Sequence, residues 1–210
     1  MKFIFLVALL FSAACSVAPM MTTRNARPLG EGQNKIQISP GIPVLGITYE
    51  RGLSDKWDMG LAAESQLTPV FSGFTKYSFV NKEEGTSVAA SGGVFYGTGF
   101  IDSYGGYVGP ILSWRKNWFE FFVFPRYNYV HWNGLNLDSN NDTDALFFDF
   151  VSDNTSVDLH YVQIDTGINF YTKSRFSFGV GVSYFYFLDS KYIDGTSVGW
   201  LPEFLVSWTF

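Results

Sequence analysis

Two histidines, His131 and His160, are the residues of this 210-residue chain best suited to proton-transfer chemistry. They flank a long predicted loop and share one face of adjacent predicted strands with Ser156 and Asp158. A hydroxyl, an imidazole and a carboxylate form the nucleophile, base and orienting group of many acyl-transfer sites. Histidines on an aromatic surface also need no catalytic role. The sequence therefore predicts no enzyme and assigns no catalytic residue.

The predicted loop between the histidines carries a run of possible oxygen ligands. These are Asp138, Asn140, Asp142, Asp144 and Asp149. The spacing resembles a calcium loop, but Thr143 stands where such a loop needs glycine and Asp149 is shorter than the usual bidentate glutamate. A solvated acidic loop is the favoured interpretation, and neither a metal nor another cofactor is predicted.

The composition indicates a single domain with a large surface that does not face water. Aromatic residues make up 19% of the chain and charged residues only 16%, an unusual balance for a soluble domain. The formal net charge is −5, which disfavours nucleic acid as a partner because phosphate binding needs clustered Lys and Arg.

The first residues predict export. Residues 1–14 combine Lys2, an apolar run and a small-residue end, which is typical of a signal peptide. The stretch Ser12-Ala13-Ala14-Cys15 resembles the lipobox of bacterial lipoproteins, although Ser12 replaces the usual leucine. That resemblance implies lipidation of Cys15, with cleavage but no lipidation as the alternative. Residues 15–33 are polar, are interrupted by proline and glycine, and are interpreted as a tether.

From residue 34 onward the pattern is that of β-strands, with alternating stretches separated by turn residues. Strands are predicted near 34–40, 44–52, 57–67, 70–81, 86–97, 104–114, 118–130, 157–171, 176–188 and 197–210. The chain from 34 to 210 is therefore predicted to be an all-β, single, closed antiparallel barrel of about ten strands, with eight as the alternative.

The two faces of these strands differ in a way that indicates a transmembrane barrel. In the strand near 176–188, Phe176 and Phe178 stand at one end of the apolar face, Tyr184 and Tyr186 at the other, and valines between. A bilayer sorts side chains by depth in this way, because aromatic rings favour its two interfaces. A soluble ligand-binding barrel is the rival, and it requires the aromatic face to point inward.

Loop lengths predict the orientation of such a barrel. The short connections are 53–56, 82–85, 115–117 and 172–175, and the long one is near 131–156. Short turns face the periplasm in barrels of this kind, so both termini are expected there and the long loop outside. Lipids and lipopolysaccharide are the expected partners, and the oligomeric state is left open.

The chain ends in FLVSWTF, in which Phe204, Val206, Trp208 and Phe210 alternate along one face. This tail resembles the C-terminal assembly signal of Gram-negative outer-membrane barrels, and the chain resembles the small members of that class. The resemblance implies an outer-membrane location and contact with the barrel-assembly machinery.

The same strand parity predicts eight ionisable residues on the inner face. They are Glu50, Asp58, Glu64, Lys76, Glu120, Arg126, Asp165 and Glu203. In a narrow barrel such charges are expected to pair as a structural plug. A plugged barrel with a structural or surface-interaction role is therefore the predicted function.

Prolines within predicted strands keep a second function open. Pro110 and Pro125 lie in neighbouring strands, while Pro40, Pro43 and Pro202 lie in the first and last. Bulges that absorb each proline are the favoured expectation. The alternative is two locally unpaired seams that open sideways, as in barrels that pass small apolar molecules into the bilayer. A lipid A modifying enzyme, resembling the barrel deacylases but lacking their His-x-Ser order, is the third possibility.

Overall fold

The computed structural model describes residues 19, 25–40, 44–65, 69–98, 102–133, 156–173, 175–188 and 199–210. Ten strands form one closed antiparallel barrel in which each strand pairs with its neighbours in sequence and β1 pairs with β10. The strands are β1 (Asn34–Pro40), β2 (Leu45–Gly52), β3 (Trp57–Ser65), β4 (Pro69–Val80), β5 (Gly85–Gly97), β6 (Asp102–Lys116), β7 (Phe119–Asn133), β8 (Val157–Tyr171), β9 (Phe176–Phe187) and β10 (Gly199–Thr209).

The predicted ten-strand barrel is thus confirmed, and the alternative of eight strands is wrong. Two-residue periodicity places all ten strands because a strand with one apolar and one polar face must alternate. No helix among the described residues is long and apolar enough to span a membrane.

One end of the barrel gathers every short connection, and we call it the short-turn end. Its turns are residues 53–56, 81–84, 117–118 and 172–175. Asn117 (φ 54°), Arg175 (φ 61°) and Gly85 (φ 94°) have positive φ there, the conformation that tight reversals between strands require. The barrel begins and ends at this same end, where the backbones of Asn34 and Phe210 exchange hydrogen bonds of 2.9 and 2.8 Å.

The outer surface is apolar and aromatic, as the strand parity predicts. Along β9, Phe178, Val180 and Tyr184 are exposed while Ser177 and Ser183 are buried. This arrangement is the reverse of a soluble ligand-binding barrel, whose rings fill the interior. That rival architecture is therefore excluded for the described residues.

Candidate functional site

A buried ion-pair network crosses the interior near the short-turn end. The Nζ atom of Lys76 on β4 lies 3.0 Å from Glu50 on β2 and 3.0 Å from Asp58 on β3. Lys35 on β1 approaches Glu50 to 2.5 Å. The side chains of Lys76, Glu50 and Asp58 are at most 1% exposed. Burial forces opposite charges together, so the predicted pairing within the interior is confirmed here.

Residues 25–29 lie inside the barrel above this network, and we call them the N-terminal plug. Lys76 Nζ donates to the carbonyl of Arg27 at 2.8 Å, and the Ser78 hydroxyl donates to the carbonyl of Ala26 at 2.7 Å. Ala26 is fully buried and Arg27 nearly so. Part of the segment interpreted as a tether therefore fills the barrel. Its polar, proline-containing composition gave no signal for this position.

The side chain of Arg27 fastens the N-terminal plug to the other side of the barrel. Its Nε atom lies 3.1 Å from Glu120 on β7, and its two terminal nitrogens donate to Ser87 and to the carbonyl of Gly85, each at 2.9 Å. The Tyr171 hydroxyl donates to Glu120 at 2.6 Å. Charge-assisted bonds of this kind are stronger than neutral ones, so they hold the segment in one position.

A third polar cluster lies halfway along the barrel. Arg126 on β7 donates to Gln163 and lies 3.7 Å from Asp165, both on β8. The Ser183 hydroxyl bridges Asp165 and Glu203, at 2.5 Å from the latter. These contacts tie β7 through β10 together from the inside.

Beyond this cluster, towards the end opposite the short turns, the interior becomes apolar. The buried side chains there are Val70, Phe95, Val130, Leu159, Tyr161, Phe185 and Leu201. Glu64 is also buried at this level. All eight residues predicted to face inward do so, and each is at most 4% exposed.

The pairing between β6 and β7 is interrupted at two prolines that stand directly opposite each other. The register runs to Val108↔Tyr127, stops, and resumes at Leu112↔Val123 with the same offset. That offset places Pro110 opposite Pro125. The unchanged offset also shows that no bulge absorbs them, so the favoured expectation is wrong at this seam.

Opposed prolines explain the interruption and its tolerance. In an antiparallel ladder alternate pairs exchange two hydrogen bonds, and a proline at either position supplies no N–H. Pro110 keeps its place opposite Ala90 on β5, and Pro125 keeps its place opposite Ile164 on β8. Each ring nitrogen therefore faces the other. The gap removes two donors at once and leaves no backbone N–H without a partner.

A second incomplete seam lies between β1 and β10. Their pairing covers four positions, from Lys35↔Thr209 to Ile38↔Val206. Both strands continue past that point, β1 to Pro40 and β10 back to Gly199. The two proline-containing seams thus divide the described barrel into a six-strand part, β1–β6, and a four-strand part, β7–β10.

The outer surface of β7 and β8 carries the histidine cluster. His131 Nδ1 lies 2.7 Å from Asp158, and the Tyr129 hydroxyl donates to the same carboxylate at 2.7 Å. His160 contacts the hydroxyl of Tyr127 instead. Within the described residues, Ser156 bonds to neither histidine. The structure therefore assembles a His–Asp pair without the nucleophile that acyl chemistry needs.

The tail residues Phe204, Val206, Trp208 and Phe210 all face outward, with 38–53% of each side chain exposed. Trp208 stacks between Phe176 and Phe210, with ring centroids 6.1 and 4.7 Å away. The tail completes the aromatic band at the short-turn end.

Several predicted features lie outside the described residues. These are the signal peptide, Cys15, Pro43 and the acidic loop with Asp138, Asn140, Asp142, Asp144 and Asp149. Among the residues that are described, no three His, Cys, Asp or Glu side chains are placed to hold a metal ion.

The fold and interior define a class, a closed ten-strand barrel with an aromatic exterior and a filled, charged interior. No protein-family model matches the chain, and no curated protein matches it significantly. Two solved structures are similar at low identity. The N-terminal β-barrel domain of Pseudomonas aeruginosa OprF is 11% identical, with a TM-score of 0.36 over 85% of this chain and 96% of that one. The NanC porin is 11% identical, with a TM-score of 0.46 over 84% of this chain and 97% of that one.

Proposed function

We propose that this protein is an outer-membrane β-barrel whose interior is closed by its own charges and by the N-terminal plug. The observation that carries the proposal is the combination of an apolar outer surface with paired, buried charges inside. Strands in hydrocarbon must satisfy their backbone groups internally, and a closed barrel does so. Its role is structural or surface-interacting, with lipids and lipopolysaccharide as its surroundings.

The same proposal gives the orientation and the route of export. Short turns face the periplasm in such barrels, so the short-turn end with both ends of the barrel faces that side. Residues 1–14 direct export, Cys15 carries a lipid, and the outward-facing tail contacts the assembly machinery. Mass spectrometry of the mature N-terminus tests the lipid directly, and an unmodified Cys15 contradicts it.

Conductance in a planar bilayer tests the closed interior. The full-length refolded chain is expected to give no stepwise channel currents, because the Lys76 network and the N-terminal plug occupy the interior at the short-turn end. Heat-modifiable gel migration establishes that the sample is a folded barrel. Stable ohmic steps from such a sample contradict the proposal.

A second function, a conduit that delivers small apolar molecules sideways into the bilayer, is favoured by the opposed pair Pro110 and Pro125. The apolar part of the interior lies beside this seam, where Tyr107, Ile111 and Phe124 are buried. An opening there separates β6 from β7 without first breaking backbone bonds at the proline pair.

A disulfide across the seam distinguishes the two functions. Cysteines replacing Leu112 and Val123 in a Cys15→Ser background face each other in register, at a separation that disulfides accept. Cysteines at Thr166 and Val182 form the matched control on the continuous β8–β9 pairing. A conduit predicts that oxidation of the first pair, but not the second, stops uptake of an apolar dye into vesicles. Equal uptake in all samples contradicts a conduit.

A further inference from the structure

A cavity of about 600 Å³ lies inside the short-turn end, next to the N-terminal plug. Five ionisable side chains other than tyrosine line it, and four of them are cationic. They are Arg27, Lys35, Arg115, Arg175 and Glu83. Arg27 and Lys35 already pair with the buried carboxylates Glu120 and Glu50. The cavity is therefore a positively charged chamber with two cations left over.

The two remaining cations have no carboxylate partner among the described residues. Arg115 is held flat over the ring of Tyr171, with its guanidinium carbon 4.3 Å from the ring centroid. A guanidinium stacked in this way keeps its N–H edges available for an anion. Arg175 projects from the β8–β9 turn with φ 61°. Glu83, the acidic residue in the lining, forms no ion pair with either arginine.

A buried acceptor in the same cavity also lacks a partner. Asn169 on β8 is only 6% exposed, and its Oδ1 atom accepts no hydrogen bond. A side chain at Gly179 would come within 2.4 Å of that oxygen, so glycine leaves the space that Asn169 occupies. Leaving a buried acceptor unsatisfied is unfavourable. A ligand that fits this cavity therefore brings a donor to Asn169 as well as negative charge to the arginines.

We propose that this cavity binds a small polyhydroxylated anion, with Arg115 and Arg175 taking its carboxylate or phosphate group and Asn169 accepting from a hydroxyl. Serine hydroxyls of Ser177 and Ser207, which bond to each other at 2.6 Å, complete the polar wall. The site lies at the end that carries both ends of the barrel. It does not depend on whether the barrel conducts.

Calorimetric titration of the full-length protein in detergent tests this site with three probes. Gluconate carries both the charge and the hydroxyls, glucose carries the hydroxyls alone, and inorganic phosphate carries the charge alone. Gluconate is expected to bind with a Kd below about 1 mM. Glucose and phosphate are each expected to bind at least tenfold more weakly.

Substitutions locate the binding to the cavity. Arg115→Gln and Arg175→Asn are each expected to weaken gluconate binding at least tenfold, and asparagine tolerates the positive φ at position 175. Lys173→Gln, in the same turn but outside the lining, is the matched control and leaves the Kd within twofold. Heat-modifiable migration verifies each fold. Absence of gluconate binding, equal binding of glucose, phosphate as tight as gluconate, or unchanged binding by both arginine variants overturns the proposal.

Discussion

The two edges of strand β7 behave differently although they share Pro125. On the β8 side, pairing runs without interruption over fourteen positions, from Phe119↔Phe170 to Trp132↔Val157. On the β6 side, it breaks around the proline pair. A proline disturbs only the neighbour that its nitrogen faces, because each residue in an antiparallel ladder directs its N–H and C=O to one side.

Side chains reinforce this difference. Across the β7–β8 edge, Arg126 contacts Gln163 and Asp165 inside, and His131 contacts Asp158 outside. Across the β6–β7 edge the side-chain contacts are between rings or between a cation and a ring, such as Arg126 over Tyr107 at 4.8 Å. The barrel thus has one firmly tied edge and one edge held mainly by packing.

The largest expected effect comes from breaking the tied edge. Arg126→Met leaves Asp165 buried without its cation, and uncompensated buried charges destabilise proteins by about 3–5 kcal/mol. Urea unfolding of the barrel in lipid vesicles measures the loss. The double variant Arg126→Met with Asp165→Leu removes both charges and is expected to recover most of the stability. A single variant within about 1 kcal/mol of the wild type, small beside the loss expected for a broken buried pair, contradicts the importance of this contact.

A smaller loss is expected from crowding the seam itself. Gly109→Ala places a methyl group 2.1 Å from the carbonyl oxygen of Pro125 and 2.7 Å from Cα of Arg126. The backbones must move apart, at about 1–3 kcal/mol. Gly73→Ala on the outer face is the control, because its nearest neighbour is Leu61 at 3.7 Å. Equal unfolding midpoints for the two variants would show that the seam already has room.

Restoring donors to the seam is expected to change stability less. Pro110→Ala with Pro125→Ala supplies two new N–H groups, each worth about 1 kcal/mol when bonded. The more flexible unfolded chain opposes this by about 0.4–1 kcal/mol per proline. Hydrogen exchange measures the change directly, since the new amides at positions 110 and 125 should be protected. Rapid exchange at both positions would mean that the strands do not meet there.

The smallest effect is expected at the exposed cluster. Tyr129→Phe removes one donor to Asp158 but leaves the contact of His131 with that carboxylate. Exposed polar contacts contribute little to folding, so the urea midpoint should not shift measurably. A shift comparable to that of Gly109→Ala would show that the outer surface contributes to the tied edge.

Strand patterning was enough to predict the barrel, its inner charges and its aromatic exterior, because alternation is a local property of each strand. The opposed prolines required the register, which depends on the turn. The sequence places that turn at 115–117, whereas the structure has a two-residue turn at Asn117 and Trp118. That small difference in the turn shifts the register and hides the pairing of Pro110 with Pro125.

The N-terminal plug and the cavity beside it were not predictable in the same way. The plug is bound through backbone carbonyls of Ala26 and Arg27, which every residue possesses and which leave no mark on composition. The cavity brings together Arg115, Asn169 and Arg175 from three places in the chain. Only the closed barrel shows that they share one space.

The central claim is that the aromatic outer face of the barrel meets hydrocarbon while the polar face is enclosed. Nitroxide labels on single cysteines, in a Cys15→Ser background in lipid vesicles, test it most directly. Labels replacing Phe178 and Val180 should collide freely with lipid-soluble oxygen, while labels replacing Ser177 and Ser207 should respond to a water-soluble reagent instead. The opposite pattern, with the serine positions accessible from lipid and the others shielded, would contradict the account.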